Sequence, residues 1–281
     1  MLAVLGDLVA DLIVLGGGDL QRGTDNPAEV RLTRGGSAAN VAAAAAAAGF
    51  PVRFLGRVGS DILGLALVGE LEAAGVDVRV QREGRTGAIV VLVDRDGERT
   101  MITDRGASAD LEALDPSWLT GVGRLHVPLY GLAGQTSRAA VREAVAIVRG
   151  RGGAVSLDLS SVATLEALGA AGVRRIVFDL APDIVFANAE EAAWADEAGT
   201  GMPPGCLLVV KRGPDPVLLV DGFTGTEVPV EPAADVVDST GAGDAFAAGF
   251  LCAAAEGATP VVAAGAGSRL ALDALRRAGA L

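Results

Sequence analysis

The chain has 281 residues, 51% apolar and 21% charged, with 23 Lys and Arg against 35 Asp and Glu, a formal charge of −12. That length allows one large or two small domains with ample core. The acidic balance argues against nucleic-acid or anionic-membrane partners, which need basic surfaces. A single histidine, His126, and a single lysine, Lys211, leave no material for a histidine relay, a His-rich metal site or a lysine-rich phosphate clamp.

The first elements read as a short buried strand at 2–5 and an apolar run at 12–15, then a glycine-rich polar stretch and a second run at 30–32. The pair Gly35-Gly36 precedes an alanine-rich helix over about 38–48. A strand at 52–55 and a helix at 63–74 follow, with Gly75 as its stop. Segments 88–93 and 100–103 flank Asp94-Arg95-Asp96-Gly97, whose Asp-Gly pair signals a hairpin.

Alternation then resumes, with strands at 124–127, 154–158 and 184–187 and helices at 137–149, 165–171 and 190–196. Two further strands at 207–210 and 217–220 are separated by Gly213-Pro214, and helices begin near Gly243 and Pro260. Strands alternating with helices imply an α/β fold with a parallel sheet covered on both faces. The extended pieces at about 12–33 and 87–103 break that rhythm. They are expected to form a small antiparallel sheet over the edge of one domain spanning 1–281.

Cys206 and Cys252 form no CxxC pair and read as small buried hydrophobes, which suits a reducing compartment. The start carries Asp7 and Asp11 and no basic leader, and the alanine run at 42–48 is too short to span a bilayer. A cytoplasmic protein without membrane or nucleic-acid partners is expected.

The most informative segment is Asp238-Ser239-Thr240-Gly241-Ala242-Gly243-Asp244, running into a helical pattern. Glycines before a helix expose successive N–H groups at the positive end of its dipole, which suits a phosphate. Asp244 in the first turn would repel that phosphate if its role were binding alone. It makes sense as the acceptor of a proton from an attacking hydroxyl. The competing reading is an ordinary acid at a helix N-terminus. No GxxxxGK[ST] or GxGxxG occurs, which excludes a P-loop enzyme and removes the main support for a dinucleotide dehydrogenase.

Residues 238–244 and their helix resemble the C-terminal signature of the ribokinase-like (PfkB) carbohydrate and nucleoside kinases. Gly35-Gly36-Ser37-Ala38-Ala39-Asn40 resembles that family's other signature, and Gly56-Arg57-Val58-Gly59-Ser60-Asp61 with Gly64 extends it. The resemblance implies a ribokinase-like fold, ATP as phosphate donor and Mg²⁺. It makes Asp244 the general base and Gly241, Ala242 and Gly243 the amide anion hole. Asp11, Gly36 and Asn40 then bind substrate, although Asp11 could be a solvated loop acid and Asn40 a helix cap. Ser37 stands where many members have lysine, which bears on what is selected.

Asn188-Ala189-Glu190-Glu191 resembles the family's NxxE motif, making Asn188 and Glu191 the residues that order Mg²⁺ and its waters, or else a helix capping box. Lys211 and Gly213 match a nucleotide-contacting segment, although a lone cation after a strand is commonly a surface residue. Arg105, after the lid hairpin, is a candidate for substrate or phosphate. His126 reads as structural. Asp238 is a candidate ligand for a monovalent cation such as K⁺, but the final residues 277–281 resemble only the start of the family's cation loop.

The expected activity is transfer of the ATP γ-phosphate to a hydroxyl of a small carbohydrate, with a homodimer through the lid. The alternatives are a nucleoside kinase of the adenosine, cytidine or pseudouridine type, and a non-catalytic ligand-sensing relative. No Phe, Tyr or Trp occurs before Phe50 to stack on a base, which leans toward a sugar.

Overall fold

The computed structural model describes residues 1–16, 20–95, 98–233, 236 and 238–276. Asp96 and Gly97 of the expected hairpin turn, and the C-terminal 277–281, lie outside them. Among the described residues a nine-stranded sheet runs in the order β13-β12-β11-β10-β9-β8-β1-β4-β5. Its parallel strands are β1 (Leu2–Leu5), β4 (Val52–Val58), β5 (Asp77–Arg82), β8 (Arg124–Pro128), β9 (Ala154–Asp158), β10 (Ile184–Asn188) and β11 (Leu207–Lys211). Two antiparallel strands, β12 (Val217–Asp221) and β13 (Thr224–Val228), extend one edge.

Each face of the sheet carries its own apolar layer. One layer combines α1 (Ser37–Ala47), α2 (Ile62–Ala73), α6 (Ala242–Ala255) and α7 (Pro260–Leu275). The other is covered by α3 (Gln135–Gly150), α4 (Val162–Leu180) and α5 (Ala189–Glu197). The alanine-rich stretch expected to be helical is α1, with Ala38, Ala39 and Ala42 to Ala45 buried. Small side chains let α1 lie close to both the sheet and α6. Phe186 meets Phe250 edge-on at 5.3 Å between ring centroids beneath that pair of helices.

A second sheet, in the order β3-β2-β6-β7, is the expected lid. It consists of β2 (Val9–Leu15), β3 (Glu29–Gly35), β6 (Thr86–Val93) and β7 (Arg99–Gly106), slightly longer at each end than the sequence suggested. The β2–β3 and β6–β7 pairs are antiparallel, while the central β2–β6 pair is parallel. Both hairpins leave the main domain near the carboxyl ends of parallel strands, so β2 and β6 run outward together. Asp61 fastens the lid root to the core: Oδ1 accepts from Gly64 N at 2.8 Å, capping α2, and Oδ2 accepts from Thr86 N at 2.8 Å.

Strands β5 and β13 were not anticipated. Both sit at sheet edges, where exposed polar residues interrupt the apolar run that marks buried strands. Helix α4 is longer than expected because it resumes after a single non-helical residue, Gly169. No helix among the described residues is long and apolar enough to cross a membrane.

Candidate active site

The strand order reverses beside β1, whose neighbours are β4 on one side and β8 on the other. In open α/β sheets, ligands bind outside the carboxyl ends of the strands near such a reversal. Here Asp7 follows β1, while Asp158, Asn188 and Lys211 end β9, β10 and β11. The N-termini of α1 and α6 meet at the same end of the sheet.

Asp244 is the third residue of α6. Its carboxylate does not cap its own helix but crosses to α1. Ser37 Oγ donates to Oδ1 at 2.7 Å and Asn40 Nδ2 donates to Oδ2 at 3.0 Å. Burial pushes the Asp244 carboxyl up to about 6, against the lowering effect of those two donors. An acid tuned toward neutrality, with its oxygens held in place, is suited to accept a proton near physiological pH.

Gly241 turns the chain into α6 with φ +75°. The first-turn amides of a helix have no partner within it. Of the three amides expected to form the anion hole, that of Ala242 donates to Ser239 O at 3.3 Å, closing the turn. Gly243 lies against the only lysine: a Cβ there would come within 3.3 Å of Lys211 Nζ.

On the acceptor side, Asp11 lies over the glycine pair. A Cβ on Gly35 would fall 2.1 Å from Asp11 Oδ1, so only glycine leaves room for that carboxylate. Gly36 has φ +100°, and a Cβ there would strike Asp7 O at 2.3 Å. Burial raises Asp11 to about 6, with Arg34 pulling the other way. Asp11 Oδ1 and Asn40 Oδ1 are buried with no protein partner. Buried acceptors left open in this way are what hydroxyl donors of a ligand would satisfy.

Arg34, which the sequence pattern did not single out, is buried at 4% exposure on β3. Its Nη1 reaches Glu70 at 3.4 Å, while Nε and Nη2 have no partner. Burial lowers its pKa, opposed by Glu70, Asp11 and Asp244. Only its place immediately before the glycine pair marked it in the sequence.

Asn188 and Glu191 form a complete capping box: Glu191 N donates to Asn188 Oδ1, and Glu191 accepts from Asn188 N and Nδ2, each at 2.8 Å. Burial and then the charge of Asp158 raise the Glu191 carboxyl to about 7. The side-chain oxygens of Asn188 and Glu191 fit Mg²⁺, and a cation there would favour the ionised form of Glu191.

Lys211 is not on the surface. It pairs with Asp158 at 2.8 Å, with side-chain exposures of 16% and 8%. Burial works against its charge, but Asp158, Glu191 and Asp244 outweigh that and hold its pKa above the ordinary lysine range. Gly213, by contrast, is an exposed turn residue with φ +60° between β11 and β12.

Arg105 stands at the end of β7, where its Nε and Nη2 donate to the two oxygens of Asp7, each at 2.7 Å. That clasp ties the lid to the loop after β1. Asp238 accepts from Thr240 N at 2.8 Å and Thr240 Oγ1 at 2.7 Å. Asp238 also pairs with the guanidinium of Arg99, which comes from the lid. His126 is fully buried, bonded through Nδ1 to Ser156 Oγ at 2.9 Å, and burial pushes it down to about 4, which fits its structural reading.

The whole chain, residues 1–281, matches the pfkB family carbohydrate kinases. It is 33% identical over 276 residues to a fructokinase of Salmonella typhimurium, covering 92% of this chain and 85% of the relative. It is 35% identical over 246 residues to an ATP-dependent ribose-1-phosphate kinase of Halopiger xanaduensis, covering 81% of this chain and 76% of that protein. A putative ribokinase II of E. coli, solved with ATP and Mg²⁺, superimposes with a TM-score of 0.81 at 22% identity, covering 99% of this chain and 93% of that one. The chain belongs to the PfkB family and is an ATP-dependent carbohydrate kinase.

Proposed function

We propose that this kinase transfers the γ-phosphate of ATP to a hydroxyl of a small, neutral sugar, with Asp244 as general base. The observation that carries this reading is the Asp244 carboxylate. It stands at the junction of the α6 N-terminus and the glycine pair, held by Ser37 and Asn40 and tuned to about 6. An acceptor hydroxyl held by Asp11 and Asn40 would deliver its proton there. The amides at the start of α6 and the Lys211 ammonium stabilise charge on the transferred group. Asp11 and Asp244 favour a neutral acceptor, because a second anion would meet two carboxylates.

Mg²⁺, when bound, neutralises charge on the phosphates, and Asn188 and Glu191 are the residues that would hold it, through water. The lid excludes water that would otherwise hydrolyse the donor.

One face of the lid is apolar and open: Val30, Leu32 and Ile102 are exposed at 59%, 62% and 60%. Leu32, Leu12, Val90 and Ile102 align in one row across the four strands. A second copy of the chain, packing its own lid there, would bury that row.

ADP release measured against a panel of sugars and nucleosides tests the reading. Turnover with at least one neutral sugar, and loss of turnover in Asp244→Asn with ligand binding kept, is the expected result. A wild type that binds sugar but transfers no phosphate from any nucleotide would remove the kinase reading. Preference for a nucleoside would move the acceptor class.

A further inference from the structure

Lys211 is a flexible side chain in a place where a phosphoryl group needs a fixed charge. Its ammonium has three N–H bonds, and its hydrogen bond among the described residues goes to Asp158 Oδ2, at 2.8 Å. The flank of the ammonium lies against Gly243, 3.3 Å from where a Cβ would stand, so the glycine leaves a cradle that any side chain would fill.

Asp158 is itself held. Its Oδ1 accepts from Ser160 N at 2.8 Å, and Ser160 Oγ donates back to Asp158 O at 3.2 Å. Ser160 takes φ +71°, a region that side-chain-bearing residues rarely adopt, and Tyr130 Oη donates to its carbonyl at 3.2 Å. Backbone strain of this kind persists where the surroundings enforce it, and it clusters at working sites. The turn after β9 is thus built to aim one carboxylate oxygen at Lys211. Parallel pairing of Asn188 with Lys211 sets the height of the lysine beside the end of β10.

We propose that Asp158 is a positioning residue that holds the Lys211 ammonium against Gly243, so that the donor's terminal phosphates meet a preorganised cation. This rests on the reading of Lys211 as a phosphate contact, and it adds the residue and the turn that make the contact rigid. A lysine stem samples many rotamers, and each one frozen before the phosphate arrives is one less to freeze during the reaction. The pair divides labour with Asn188 and Glu191: the lysine meets phosphate oxygens directly, and the other two serve the metal.

The test uses the full-length enzyme and four variants: Asp158→Asn, Asp158→Glu, Lys211→Met and the double Asp158→Asn/Lys211→Met. Calorimetry with a non-hydrolysable ATP analogue (AMP-PNP) in excess EDTA reads the phosphate contact without metal, and kinetics read KM for ATP, KM for sugar, kcat and the Mg²⁺ midpoint. Lys211→Met is expected to weaken metal-free AMP-PNP about tenfold, the effect of losing a charge-assisted hydrogen bond. Asp158→Asn should weaken it by a similar factor, and the double variant no further, because one interaction is being removed twice. The Mg²⁺ midpoint and the KM for sugar should not move.

If Asp158→Asn shifts the Mg²⁺ midpoint while metal-free AMP-PNP binding stays normal, Asp158 is a metal ligand and the proposal falls. Additive losses in the double variant would also overturn it. If Lys211→Met leaves AMP-PNP binding and KM for ATP untouched, it is the phosphate role of Lys211 that fails, and the positioning role of Asp158 falls with it. Should Asp158→Asn not fold, Asp158→Glu, which keeps the charge but shifts it by one methylene, carries the same comparison.

Discussion

Asn40 on α1 and Asp244 on α6, 204 residues apart in the chain, are joined at 3.0 Å from amide nitrogen to carboxylate oxygen. Asn40 thereby touches the proposed base with one end of its amide, while its Oδ1 stays open for a ligand. The acceptor wall and the proton acceptor are mechanically one unit.

Replacing Asp244 with Asn is expected to lower kcat by about 10³-fold or more, as for removal of a catalytic base. The same change should stabilise the fold. The carboxyl rises from an ordinary 3.8 to about 6 on folding, so the folded chain binds more protons between those values. Stability contributed by this group therefore falls as pH rises from about 4 to 6 and stays lower above that. Thermal unfolding should show the variant more stable than wild type by about 1–2 kcal/mol at pH 8, with the difference vanishing near pH 4.

Activity should have an acid limb. Asp244 and Asp11 are both raised to about 6; Asp244 must be ionised to take the hydroxyl proton, and Asp11 is the stronger hydrogen-bond acceptor when ionised. At pH 5 a group with that value is mostly protonated, so kcat/KM should fall at least about tenfold from its plateau. A profile flat down to pH 4.5 would contradict this assignment.

Gly35→Ala places a methyl 2.1 Å from Asp11 Oδ1. The carboxylate must swing away, so KM for sugar is expected to rise about tenfold or more while KM for ATP is unchanged. Steady-state kinetics with each substrate varied in turn separate the two.

The Arg99–Asp238 ion pair ties the lid to the loop that begins the anion hole. Arg99→Ala should free the lid and expose the donor phosphates to water. The expected signature is faster ATP hydrolysis in the absence of sugar and a lower ratio of sugar phosphate formed to ADP released. Unchanged coupling would show that the pair is incidental to closure.

Leu32→Asp, on the open lid face, should shift the chain from dimer to monomer in sedimentation at micromolar concentration. Its folded stability should barely change, because Leu32 is 62% exposed. A wild type that sediments as a monomer would remove the lid-to-lid interface.

Local pattern revealed much of this molecule. The β/α alternation marked the parallel sheet because strands buried on both faces must be apolar throughout, as β1 is. The edge strands β5 and β13 escaped notice because exposed polar residues break their apolar pattern. Gly36 was readable as a close-approach position, and Gly241 as a turn residue, from their places before helices. Asp158 and Arg34 were not, since an aspartate ending a strand and an arginine before a glycine pair look ordinary in one dimension. The pairing of Arg105 with Asp7, 98 residues away, was equally invisible.

By itself, then, the sequence determined the fold class, the family, and the glycine turn and carboxylate proposed for phosphate and proton, because each depends on residues adjacent in the chain. Only the tertiary structure decided partnership: Ser37 and Asn40 with Asp244, Asp158 with Lys211, Arg99 with Asp238. These pairs lie 53 to 207 residues apart. Which charge meets which is set by how the sheet and its helices converge, a property that no local stretch of residues carries. The scarcity of lysine and histidine, at first a list of exclusions, ends with the one lysine buried against Asp158, at the place where the proposed function needs a cation for phosphate.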